Sequence, residues 1–182
     1  MGVRGNKDKG TRAEGMVASY LKGTYWPFAE RRALAGSFDK GDITGTPALV
    51  WEVKSATRLT VPAWLRETEV ERVNAGADYG VLVIKPSGVG VANIGKFYAL
   101  MDKEKFNEIP WAAAPNSYNF STTQRKMKFN VAIDLADFTA SQMHYPTYWV
   151  NYPDFVLTTL AQMAKILNGA GYGTLSLHQS SH

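Results

Sequence analysis

The chain has 182 residues, 45% hydrophobic and 20% charged, which is the balance of a soluble globular protein with one good core. It has no cysteine, which excludes disulfides, zinc–thiolate sites, iron–sulfur clusters and a cysteine nucleophile, and fits a reducing cytoplasm. The net charge of +4 is concentrated: residues 1–40 hold eight basic and four acidic side chains, an excess equal to that of the whole chain, which suits an anionic partner such as a phosphate backbone.

Residues 1–8 are small, polar and basic, and a loose end is expected there, with no secretory leader. No apolar run approaches the ~20 residues that span a bilayer, so a cytoplasmic protein is expected. From about Lys9 a helix is predicted, because Ala13, Met16, Val17, Tyr20 and Leu21 recur at helical spacing and Gly23 ends the run. Tyr25–Leu34 reads as an aromatic-rich strand ending in Glu30-Arg31-Arg32. Ala35–Gly41 then breaks all periodicity and reads as a loop. Short strands are predicted over 41–45 and 48–55.

A helix follows from Pro62 to Val73, with Trp64, Leu65, Val70 and Val73 as its buried stripe and Asn74–Gly76 as its end. Tyr79–Lys85 is a near-continuous apolar run, the pattern of a strand buried on both faces. A strand over Val89–Ile94 and a helix over Lys96–Glu108 complete an α/β core with a mixed sheet. Beyond Pro110 the chain turns aromatic and proline-rich. There Lys126–Ile133 reads as a strand and Asp154–Leu167 as an amphipathic helix closed by Gly169, followed by a polar tail. The expected division is a core over 1–108 and an extension over 109–182. The aromatic extension reads as core or dimer surface before it reads as a base-stacking platform.

The stretch Gly41–Lys54 carries the chemistry. In Leu49–Lys54 the side chains alternate, so Leu49, Trp51 and Val53 share one face and Val50, Glu52 and Lys54 the other. A tight reversal across Gly45–Pro47 brings Asp42 back beside Glu52 and Lys54. Two carboxylates a few ångströms apart repel unless a cation lies between them, and their oxygens suit Mg²⁺. A lysine beside such a cation can steer or deprotonate a water, which is equipment for phosphodiester hydrolysis. The plain alternative is a solvated Glu-x-Lys face. No P-loop, GxGxxG, GxSxG or HExxH is present, and the three histidines, His144, His178 and His182, form no metal pair.

The ordered set Arg12-Ala13-Glu14-Gly15, Gly36-Ser37, Gly41-Asp42-Ile43 and Trp51-Glu52-Val53-Lys54 resembles the PD-(D/E)XK nuclease superfamily, and within it the archaeal-type Holliday junction resolvases and their phage relatives. The resemblance covers roughly residues 9–85. It implies a restriction-endonuclease-like core and a Mg²⁺-dependent endonuclease acting on branched DNA in recombination or repair, with Mn²⁺ as a possible substitute. It implies Asp42, Glu52 and the Val53 backbone carbonyl as metal ligands and Lys54 as the residue that positions water and stabilises charge on the phosphate. Glu14 would complete the site. Arg12, Arg31, Arg32, Ser37 and Lys40 would meet DNA. Gly41 stands where the family usually has proline, and this leaves Asp39 as an alternative metal carboxylate to Asp42. A four-way junction has two-fold symmetry, so a homodimer is implied. Flap, single-strand or restriction-like cleavage, and a non-catalytic nucleic-acid binder, are the alternative readings.

Overall fold

A computed structural model of the chain describes residues 3–33, 39–56, 59–110, 150–151 and 154–173, with only the backbone of 3–7 and 150–151. The expected strand at Lys126–Ile133, the aromatic stretch 111–149 and Ser37 lie outside the described residues.

Helix α1 (Val3–Lys22) begins earlier than the periodicity suggests, so the expected loose end is helical from residue 3. Its apolar stripe of Ala13, Val17, Ala18 and Leu21 is buried. Two-residue strands β1 (Glu30–Arg31) and β2 (Ile43–Thr44) pair antiparallel beside the main sheet. The strand expected over Tyr25–Leu34 shrinks to β1. Residues 23–29 instead turn, with the Ala29 N–H bonded to the Trp26 carbonyl, and Trp26 goes into the core edge-on to Trp51 at 5.5 Å.

The main sheet contains β3 (Leu49–Lys54), β4 (Tyr79–Ile84), β5 (Tyr98–Asp102) and β7 (Phe155–Thr159), edged by the two-residue β6 (Val150–Asn151). The order is β3-β4-β5-β7-β6, with β3 and β4 parallel and the other pairs antiparallel. The parallel pair is joined by α2 (Val61–Ala75), whose Pro62 sits in the first turn and whose Gly76 closes the end in the left-handed region. The fold is therefore mixed α/β with helices on both faces of a mixed sheet. One face carries Leu49, Trp51, Val53, Val81, Val83 and Met101 against α1 and α4 (Leu160–Leu167). The other carries Leu82, Ile84, Tyr98, Leu100 and Leu157 against α2.

Three expected elements change type. Val89–Ile94 is not a strand: Val91–Lys96 forms a 3₁₀ helix. Lys96–Glu108 is not one helix: Tyr98–Asp102 is a strand, and only α3 (Lys103–Glu108) is helical, capped by the Asp102 carboxylate. Asp154–Leu167 likewise divides into β7 and α4, with the Thr159 hydroxyl capping the helix. The cause is the same in the last two cases. A strand buried on both faces is apolar at every position, and in a short window such a run matches a helical stripe equally well. The segment expected to be an extension thus places β7 inside the sheet, hydrogen-bonded to β5, across the boundary drawn at residue 108.

The stripe expected for α2 holds at Trp64 and Leu65, which pack against the core around Leu82 and Leu100, and fails at Val70 and Val73. Val70 and Val73 are 59% and 62% exposed, while Val61, Thr68 and Glu71 are the buried positions. The helix is set by the phase Val61, Trp64/Leu65, Thr68, Glu71. Small Thr68 lies over Gly80 of β4, where an added Cβ would come 3.1 Å from the Thr68 methyl.

Candidate acidic cleft at the β3 edge

β3 is an edge strand, and its two faces do different work. Leu49, Trp51 and Val53 enter the core, whereas Glu52 and Lys54 face α2, as the alternation requires. Asp42 approaches from the open edge. Its backbone N–H donates to the Trp51 carbonyl at 2.9 Å, and the Val53 N–H donates to Asp42 Oδ2 at 2.8 Å. The reversal that brings it back passes through Gly45, whose φ is +75° and whose missing Cβ would overlap the Phe28 backbone. A residue's N–H and C=O leave a strand on the same side, so the Val53 carbonyl also faces the edge where Asp42 lies.

Gly41 makes this approach possible. Its φ is +82°, and a Cβ there would lie 2.7 Å from Val50 Cγ1 and 3.2 Å from the Trp51 carbonyl oxygen. Proline, locked near −65°, cannot take this conformation. The departure from the expected proline is thus built into how this chain delivers Asp42. Asp39, the alternative carboxylate, is exposed. Its Oδ1 accepts from the Gly41 N–H at 3.2 Å, and its carbonyl is held by Asn74 of α2 at 3.1 Å, which puts it on the rim of the cleft.

The cleft measures about 530 Å³ and lies between β3 and α2, lined by Asp39, Glu52, Lys54, Arg66, Glu67 and Glu71 among others. Lys54 Nζ pairs with Glu52 Oε1 at 2.6 Å and Glu67 Oε2 at 3.0 Å. Glu52 and Glu71 are only 6% and 5% exposed. Burial pushes the Asp42 carboxyl up to about 8, and the charges of Glu52 and Glu14 add to this against the pull of the Val53 N–H. Burial likewise lifts Glu52 to about 7, opposed by Lys54 and reinforced by Glu71. Glu71 rises to about 7 through burial, with Asp39 and Asp42 adding. For Lys54, burial favours the neutral amine, but its bonds to Glu52 and Glu67 outweigh burial and hold the ammonium above its usual value.

The other expected residues divide. Glu14, half-buried on α1, pairs with Arg31 at 3.3 Å, and its charge reaches Asp42 from the opposite face of the sheet. Arg32 is a brace: its backbone N–H donates to the Asp42 carbonyl at 2.7 Å and its Nε to the Gly41 carbonyl at 3.0 Å. Arg12 and Lys40 are exposed. Lys22, further along α1, pairs with Glu30 at 3.4 Å.

The sequence reading missed Glu67 and Glu71. Their spacing of four puts them on one helix face, and setting the helix by Val61 and Thr68 instead of Val70 and Val73 would have turned that face toward β3. Among the described residues no three carboxylate or imidazole groups stand ready-made around a cation; the Lys54 ammonium holds one oxygen of Glu52. The donor set nevertheless fits a hard divalent ion, since it is all oxygen and crowded, and the Glu71 Oε2 is buried with no hydrogen-bond partner. No family model, no curated protein and no solved structure matches the chain.

Proposed function

We propose that this chain is a cation-dependent DNA endonuclease of the PD-(D/E)XK type, cutting phosphodiester bonds in branched DNA at the β3 edge. The observation that carries the proposal is the meeting of Asp42, Glu52 and Lys54 at one end of an edge strand, with Asp42 fixed by the N–H of Val53, the residue between the other two. Two adjacent carboxyls that burial raises toward neutrality, Asp42 further by the charge of Glu52, are poorly stable as anions alone and well suited to a divalent cation.

Asp42, Glu52 and the Val53 carbonyl would hold that cation. When bound, it supplies Lewis-acid polarisation of the phosphoryl group. The protein's own part is positioning and charge. Lys54, kept as an ammonium by Glu52 and Glu67, donates hydrogen bonds to the attacking water and to the phosphate oxygens; its pairing favours this role over that of a base. Arg31 and Glu14 stand on the α1 side of Asp42, and the exposed Arg12 and Lys40 would be free to meet a phosphate backbone.

The branched substrate follows from the resemblance, and a homodimer of this chain would offer two such centres to a two-fold junction. The test is cleavage of a labelled four-way junction beside flap, single-strand and duplex DNA, in Mg²⁺ and in EDTA. Paired, Mg²⁺-dependent nicks across the junction are expected. Lys54→Ala should lower the rate by at least about 10²-fold, and Glu52→Gln should abolish cleavage, both with junction binding retained. Equal cutting of all substrates would move the protein to a broader nuclease class. No cutting, or full activity in both variants, would remove the proposal.

A further inference from the structure

We propose that Glu71 is a ligand for a divalent cation together with Glu52, so that α2 contributes a carboxylate to the metal centre. This rests on the reading of the β3 edge as a cation-dependent centre, but it concerns a residue that reading does not use.

The argument starts from the phase of α2. The face it turns to the sheet is apolar at Val61 and half-buried at Trp64 and Leu65, then polar at Thr68 and Glu71. A glutamate on the buried face of a helix is expensive unless it is paired. Here no cation among the described residues forms an ion pair with it, and its side-chain hydrogen bond is to another carboxyl, that of Glu52. Glu71 is 5% exposed, and its Oε2 is buried without a hydrogen-bond partner. The nearby cation, Lys54, is already held by Glu52 Oε1 and Glu67 Oε2. Its sequence neighbours are better provided for: Glu67 has Lys54, and Glu69 has Arg72 at 2.7 Å.

The surroundings of Glu71 are therefore carboxylates. Its side chain lies against that of Glu52 and within electrostatic reach of Asp39 and Asp42, with the Lys54 ammonium as the opposing charge. All of these except Asp42 line the same cleft. Glu52 sits between Asp42 on the strand-edge side and Glu71 on the helix side, and its charge couples to both. Asp42 has one oxygen tied to the Val53 N–H, so it offers one further oxygen. Glu71 supplies oxygens that no protein donor claims at Oε2. An all-oxygen set of this kind selects Mg²⁺ or Mn²⁺ over softer metals.

The test is Mn²⁺ binding by titration calorimetry, with the Mn²⁺-induced rise in melting temperature as a second reading, on the wild-type chain, Glu71→Gln, Glu52→Gln and Glu69→Gln. No DNA or cleavage is needed. Glu71→Gln should weaken Mn²⁺ binding by about tenfold or more and shrink the Mn²⁺-induced rise, while melting in EDTA at or above the wild-type temperature because a buried charge is gone. Glu69→Gln should bind Mn²⁺ as the wild type does. Wild-type affinity in Glu71→Gln, with weakened binding in Glu52→Gln, overturns the role of Glu71 and leaves the nuclease reading intact. A lower melting temperature in EDTA with an unchanged Mn²⁺ response shows a purely structural glutamate and overturns it too. Loss of Mn²⁺ binding in Glu71→Gln from a protein that cuts no DNA upholds the ligand and sinks the nuclease.

Discussion

Gly41 shows how one residue decides whether the carboxylate reaches its place. Its φ of +82° and the 2.7 Å approach of Val50 to its absent Cβ mean that Gly41→Ala brings a left-handed strain of about 1–2 kcal/mol plus a clash. Urea unfolding should show that loss, and Asp42 should be displaced from the Val53 N–H. The acid cluster gives the second prediction at this scale. Asp42, Glu52 and Glu71 have folded-state values of about 8, 7 and 7, raised above those of the unfolded chain. The folded protein then keeps protons that the unfolded chain releases. Their contribution to stability is fully present below the ordinary carboxylate range and is lost as pH rises through about 7 to 8. In EDTA the melting temperature should therefore fall between pH 5 and pH 8.5, and added Mn²⁺ should recover more at the higher pH, where it competes with fewer protons. A metal-free melting temperature that climbs over this interval would contradict the shifts.

At the scale of elements, α2 and β7 are where pattern and packing part company. The apolar Val70 and Val73 face water because Thr68 and Glu71 take the sheet side, so Val70→Lys and Val73→Lys should each change stability by no more than about 0.5 kcal/mol. Leu157, fully buried in β7 between β5 and β6, should cost about 2–5 kcal/mol on truncation to alanine. Denaturant midpoints of these variants separate the observed phase from the one periodicity suggests. The same elements explain the site. The β3 alternation was legible, so Glu52 and Lys54 could be paired from the sequence. The partners from α2 were not, because hydrophobic periodicity finds a helix face by its apolar residues and this face ends in a threonine and a glutamate.

Across the whole molecule, the described residues from α1 to Tyr172 share one main sheet and one core. β7 completes the sheet beside β5, α4 covers the same core as α1, and Trp26 donates its indole N–H to the Tyr172 carbonyl at 2.6 Å. A chain cut after Glu108 would leave β5 as a long unpaired apolar edge and uncover the α4 side of the core. Such a fragment should lack a cooperative thermal transition by circular dichroism and should aggregate, whereas the full chain melts as a unit. A fragment 1–108 that folds cooperatively would mean that β7 and α4 only decorate the sheet. Among the described residues no helix is long and apolar enough to cross a membrane.

What the sequence by itself determined was local: the β3 alternation that puts Glu52 beside Lys54, the turn that returns Asp42, the buried run of β4 and the close of α2 at Gly76. Each depends on neighbours within a few residues, where side-chain period and turn chemistry act. Only the tertiary structure decided the rest. Whether Tyr98–Met101 and Phe155–Thr158 are strands depends on finding each other across about 55 residues of chain, a pairing no local window contains. Whether Glu71 is a solvated helix residue or a member of the acidic cleft depends on which face of α2 the sheet receives. That choice is made by Val61 and by the room Gly80 leaves for Thr68, not by the hydrophobic pattern of the helix.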